Sequence, residues 1–377
     1  MIILVLAAAT YLVGFEAGAR TGDASQSISS ACTYDTAVKR TGTYALKCAL
    51  TAAAFFRTNT GVPNNQSVVY LRFYFRLTSH TVGTNAMIYA GVVGGTISGS
   101  ISLNGSEQLI LRDDANAIVG TGSTALNLDQ WYRIELFKSG ADPGTYTLWL
   151  DGSQQVTSAT ADANGILDNM IFGNNNASQT YTAYWDDVRL DDAALPGAGQ
   201  IEILTVNGAG SLTEFDTTSG SATHWQNVDE IPPVDTSDYN RHAGASIASD
   251  LYAVLDTAST GITGTINAVQ ANWRMYRSAG AATLHQGALV ENATQTNTTL
   301  TLGTAADSFV LAYSTPPNSG GSWTSTKLDS LEIGGKHADT GAQDTTITWA
   351  AFMVDYTPGG GPPPAAVPMR TLMGVGQ

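Results

Sequence analysis

VVYLRFYFRL, running from Val68 to Leu77, places Val69, Leu71, Phe73, Phe75 and Leu77 on one side of an extended chain and Tyr70, Arg72, Tyr74 and Arg76 on the other. A period of two residues is the mark of a β-strand with one face in a core and one face wet. WYRIELF (Trp131 to Phe137) repeats the pattern, and YTLWL (Tyr146 to Leu150) follows the turn Asp142-Pro143-Gly144. Asp151-Gly152 marks the next turn, and AYWDDVRL (Ala183 to Leu190) closes the set. No stretch keeps a 3.6-residue apolar period, so almost no helix is expected.

A boundary falls in DDAALPGAG (Asp191 to Gly199), where charge, proline and glycine cluster without alternation. A second strand set follows at Thr223 to Val228, Ser249 to Leu255, Ile266 to Arg277, Ala288 to Val290, Ser308 to Tyr313 and Thr346 to Val354. Strands at such spacing with turn signals between them predict a sandwich. The fold expected is all-β: two tandem antiparallel β-sandwiches, residues 1–195 and 200–357, with an extended C-terminal arm over 358–377. The arm begins PGGGPPP, a sequence for polyproline conformation flanked by hinges. Val367, Met369, Leu372, Met373 and Val375 are its apolar handles for anchoring to a partner; the alternative is an arm folded back on its own domain.

Charged residues make up only 13% of the chain, and 39 glycines accompany abundant Thr, Ser, Asn and Ala, which suits short strands and tight turns rather than helix bundles. The net charge of −15 repels phosphate backbones and anionic lipid, so neither nucleic acid nor membrane is an expected partner. Met1 to Ala9 is apolar but lacks a basic leader and is too short to span a bilayer; it reads as the first strand, with secretion the weaker reading. Cys32 and Cys48 flank a hairpin centred near Arg40. A pair of buried thiols is the first reading and a disulfide the alternative. Neither makes a four-ligand zinc site.

The first half resembles the concanavalin A-like lectin/glucanase (laminin-G-like) jelly roll as it occurs in phage proteins. The resemblance is carried by GFE (Gly14 to Glu16), RTGTYALK (Arg40 to Lys47), YLRFYFRL (Tyr70 to Leu77), WYRIEL (Trp131 to Leu136), LWLDG (Leu148 to Gly152) and YWDDVRLDD (Tyr184 to Asp192). The second half resembles a module of phage virion and tail-associated proteins through HWQNVDEIPPVD (His224 to Asp235), INAVQANWRMYR (Ile266 to Arg277) and SGGSWTSTKLDSLEIGGK (Ser319 to Lys336). These resemblances imply a structural accessory of a bacteriophage virion: a capsid decoration, head fibre or tail-attached protein. It would be made in the host cytoplasm, displayed on the particle surface and held by other virion proteins and copies of itself. A lectin-like module binding host polysaccharide is the alternative reading.

In related jelly rolls, a glutamate of the first strand and an aspartate of the last can share a calcium ion. Glu16, Asp186 and Asp187 match those places, with Asp191 nearby, and hard oxygen ligands suit that metal. The plainer reading has the two aspartates alternating, one capping a turn and one facing water. Trp131 and Trp149 are the candidate sugar platforms, although every tryptophan can equally be core. No E-x-D-x-x-E strand pairs carboxylates for glycoside hydrolysis, and Glu135 has Phe137 and Ser139 where partners would stand. The histidines (His80, His224, His242, His285, His337) are scattered, and no nucleophile elbow appears. The expectation from this inventory is a protein that is not an enzyme, with a glycan-cleaving activity the least favoured reading.

Overall fold

The structure is a computed structural model that describes residues 11–19, 25–50, 54–58, 68–81, 85–161, 165, 167–174, 180–278, 285–338 and 343–359. Met1 to Thr10 and the arm from Gly360 onward lie outside the described residues, as do the five anchoring candidates between Val367 and Val375.

Two antiparallel sheets make the first domain. In the first sheet the strands run in the order Ser153–Ala161, Gly144–Leu150, Trp131–Ser139, Val68–His80, Tyr181–Asp191, Ala45–Leu50 and Cys32–Asp35, with Tyr11–Val13 added against Tyr181–Asp191. The second runs Ile118–Ala125, Gln108–Arg112, Thr96–Leu103, Ala86–Val93, Asn169–Asn174, Ala54–Thr58 and Ser25–Ile28. Between them lies one core, in which Phe73, Phe75 and Trp185 of the first sheet meet Ile88, Tyr89 and Phe172 of the second. Val69, Leu71, Phe73, Phe75 and Leu77 are all buried in it, as the alternation predicts. Their neighbours Tyr70, Arg72, Tyr74 and Arg76 consequently line the outer face of the first sheet.

The second domain has its own core, including Trp273, Phe352 and Ile333. Its long strand Gln200–Thr213 pairs with Gln343–Pro358 over residues 200–205 and with Ala248–Val254 from Val206 onward. One strand thus passes from one sheet to the other, the corner typical of packed β-layers. Helical structure among the described residues is limited to single turns at Thr257–Thr260 and Ser325–Leu328 and a 3-10 turn at His224–Asn227. That last turn corrects the strand expected at Thr223 to Val228. The Asn227 side chain accepts from Ser221 N and donates to Ser221 O, so local side-chain bonds displace the extended ladder.

Cys32 and Cys48 face each other in register across the strands Cys32–Asp35 and Ala45–Leu50, their Cα atoms 4.1 Å apart, and are joined as a disulfide. This replaces the free-thiol reading. The hairpin anticipated around Arg40 is what brings the two side chains to one face.

The domains meet through a small apolar cluster separate from both cores and through charge. Leu12 packs with Ile201, Ala268 and Met353, while the Gln270 side chain accepts from Leu12 N (2.8 Å) and donates to Leu12 O (3.0 Å). Asp355 of the second domain, fully buried, accepts from Arg72 (2.5 Å), Arg189 (2.7 Å) and Asn267 (3.1 Å).

Candidate functional site

Cross-strand neighbours share a face of a sheet, so the register lays out the outer surface of the first sheet in rows. One row reads Lys47, Tyr184, Arg76, Trp131. Arg133 stands beside Tyr74 in the next. A third sets Arg189, Arg72, Glu135 and Trp149 side by side. Tyr70, Phe137 and Thr147 follow, with the Tyr70 and Phe137 rings 4.9 Å apart. Trp131 and Trp149 therefore sit on one surface, four residues apart along the strands and one strand across, about 14 Å between Cα atoms. Both are half-buried, whereas Trp185, Trp273 and Trp349 are wholly enclosed. Polar groups fill the ground between them. Arg133 reaches Glu135 (3.0 Å), Asp151 caps Arg133 N (2.8 Å), and Arg76 meets Asp129 (3.1 Å) beside Trp131.

At the opposite margin of this surface the carboxylates of Glu16, Asp186 and Asp187 come together. A register shift between Asp186 and Arg189 puts a bulge in the last strand, with Asp187 at φ 50°. The bulge buries both aspartates completely, which corrects the reading that they alternate between a turn and water. The loop around Gly42 (φ 56°) closes over them with its backbone. Arg40 N donates to Asp186 (2.8 Å), Thr43 N to Glu16 Oε2 (2.6 Å), and Asp187 is taken by Arg40 Nη1 (2.5 Å), Thr41 Oγ1 (2.9 Å) and Ile201 N (2.5 Å).

Burial pushes the Glu16 carboxyl up to about 10; the Thr43 bond opposes this, and the nearby charges of Asp186, Glu202 and Asp187 add to it. Burial, then Asp187, raises Asp186 well above the usual carboxylate range. Glu16 Oε1 is buried with no hydrogen-bond donor among the described residues, and the Gly42 backbone packs directly against its carboxyl group. That orphaned oxygen fits a cation. Asp187 does not, since its oxygens are committed to Arg40, Thr41 and Ile201. No group of three or more His, Cys, Asp or Glu side chains is placed to hold a metal among the described residues. The Asp186 oxygens accept from Arg40 N and Asp187 N, so of the three carboxylates expected from the resemblance Glu16 alone has a buried oxygen without a donor among the described residues.

Three of the histidines read as scattered are brought together in the second domain. The His242 and His337 rings are 5.1 Å apart and those of His285 and His337 6.0 Å, because His285 and His337 pair across strands. Thr345 Oγ1 lies 2.7 Å from His285 Nδ1 and 2.9 Å from His337 Nδ1. A hydroxyl has one hydrogen, so one Nδ1 accepts from it and the other donates to it. No spacing along the chain signals this grouping; it comes from strand register. His224, at the 3-10 turn, holds Asp250 at 2.7 Å within a network with Tyr252 and Asn240.

The sequence matches no protein-family model and no curated protein. Among solved structures it is similar to the cellulose-induced protein Cip1 (TM-score 0.40, 19% identity, 50% of this chain and 99% of that one). It is also similar to an endo-β-1,4-glucuronan lyase from the fungus Trichoderma reesei (TM-score 0.39, 16% identity, 49% and 94%). A third is a carbohydrate esterase from Shiga toxin-encoding bacteriophage phi24B (TM-score 0.38, 15% identity, 49% and 97%). The expectation that the chain is not an enzyme was drawn from one missing strand motif and does not stand. A catalytic set is assembled from separate strands, so the lack of paired carboxylates within one strand does not exclude it.

Proposed function

We propose that this is a carbohydrate-recognising protein whose first domain receives a glycan on the outer face of its first sheet, between Trp131 and Trp149. The observation that carries the reading is the half-buried state of these two indoles on one face, with Arg133, Glu135, Asp129 and Arg76 between and beside them. An indole presents an apolar face to the C–H face of a sugar ring and keeps a polar edge for water or ligand. Guanidinium–carboxylate pairs next to it supply donors and acceptors for hydroxyls. Titration with a glycan array should find a ligand whose affinity falls at least about tenfold in Trp131→Ala and in Trp149→Ala, roughly the loss of one stacked ring at about 1.4 kcal/mol or more. Unchanged binding by both variants, with wild-type melting, would reject the site.

Glu16 and Asp186 are proposed to hold a calcium ion, supported by the orphaned Glu16 Oε1. The ion would neutralise buried carboxylates and fix the loop around Gly42 at the sheet margin. The setting proposed, supported by the sequence resemblance, is the surface of a bacteriophage particle, attached to other virion proteins and to copies of this chain, with a host polysaccharide as the sugar. Deleting residues 358–377, which contain Val367, Met369, Leu372, Met373 and Val375, should abolish incorporation into particles; normal incorporation would refute the arm.

A further inference from the structure

The face bearing Trp131 and Trp149 also specifies the class of sugar, an inference that rests on reading that face as the glycan site. Each cation that register or ring contact places there has a carboxylate beside it. Lys47 is 3.5 Å from Asp35, Arg76 3.1 Å from Asp129, and Arg133 3.0 Å from Glu135. Arg40, stacked on Tyr74, is 2.5 Å from Asp187, while Arg72 and Arg189 are closed off from a ligand by burial against Asp355 of the second domain. A uronate or sulfate ester arriving here would have to displace a carboxylate and then lie against it. The chain's charge of −15 adds a repulsive field at longer range.

A hydroxyl, in contrast, both donates and accepts, so it is satisfied by a guanidinium and a carboxylate side by side without breaking the pair. Arg76–Asp129 offers that combination next to Trp131; on the way to Trp149 the partly exposed Arg133 offers donors, held by a buried Glu135 whose other oxygen accepts from Gly197 N. We infer that the ligand is an uncharged glycan, long enough to reach both tryptophans, read through its hydroxyls by the Arg76–Asp129 pair and by Arg133, whose charge Glu135 balances from beneath.

The test is calorimetric titration of the full chain with hexasaccharides of β-1,3-glucan, β-1,4-glucan, xylan and mannan, and with oligomers of alginate and polygalacturonate, each at low and high salt. The expected result is binding of a neutral oligosaccharide, weakened in Trp131→Ala and altered less than about twofold by salt, with no binding of either uronate. Asp129→Asn, at a side chain that is 57% exposed, leaves Arg76 without its carboxylate and should gain uronate binding that salt suppresses. Uronate binding by the wild type that is lost in Trp131→Ala would overturn the sugar class and keep the site. Uronate binding that survives both tryptophan variants would overturn both and point to the second sheet, where Arg57 and Arg112 have no ion-pair partner among the described residues. Failure of every sugar to bind would remove the site, and the inference with it.

Discussion

Arg72 and Asp355, 283 residues apart in the chain, form a 2.5 Å ion pair with both side chains wholly excluded from solvent. Arg189 and Asn267 complete the ring of donors around the same carboxylate. Burial pushes Asp355 up, but Arg72 and Arg189 more than offset it and hold its carboxyl below the usual range. A carboxylate so depressed adds stability that is present above the unfolded value and lost as pH falls through the folded one. The contact between domains therefore combines a buried ionic network with an apolar cluster.

Asp355→Asn should lower stability by about 3–5 kcal/mol, because it leaves two buried guanidinium groups without their shared anion. Thermal melting at neutral pH checks this. A loss below about 1 kcal/mol would mean the pair is solvated in solution.

Gly199 packs against that ion pair. A Cβ there would stand 2.4 Å from Arg72 Nη1 and 3.2 Å from Asp355 Oδ1. Gly199→Ala should cost about 1–3 kcal/mol by pushing the network apart, while alanine at the open Gly197 tests left-handed backbone alone, at φ 68°. Equal effects from both changes would argue against the close approach.

In the metal-free protein Glu16 keeps a proton between about pH 4.5 and 10 that the unfolded chain has released. Its contribution is complete below about pH 4.5 and is lost as pH rises towards 10, at up to about 1.4 kcal/mol per pH unit. Calcium added at pH 8 should raise the melting temperature and release a proton, and Glu16→Gln should remove both effects. Proton release measured in two buffers of different ionisation enthalpy decides it. No calcium-induced change in melting would dismiss the ion.

The Cys32–Cys48 disulfide closes a loop of 16 residues, so Cys48→Ala should lower stability by about 3 kcal/mol in the chain-entropy account. Thiol titration of denatured protein should find none free before reduction and two after.

Much of the first domain was legible. The alternation in Val68 to Leu77, Trp131 to Phe137 and Ala183 to Leu190 named both the strands and the buried side of each, because a strand's side chains alternate whatever it pairs with. The same logic placed Trp131 and Trp149 in strands but could not put them on one surface, which required the register of Glu135 with Trp149 and of Trp131 with Arg76. THWQNV misled because its apolar spacing fits a strand, while Asn227 finds backbone partners at Ser221 that the pattern does not encode.

Local alternation and turn chemistry by themselves determined an all-β chain of antiparallel strands, since backbone sterics and burial act over a few residues. Tertiary structure alone decided that Glu16 meets Asp186, that Cys32 bonds Cys48, that His285 and His337 converge on Thr345 and that Asp355 is shared by Arg72 and Arg189. Each of these depends on which strands become neighbours and in what register, a choice made by the packing of whole sheets.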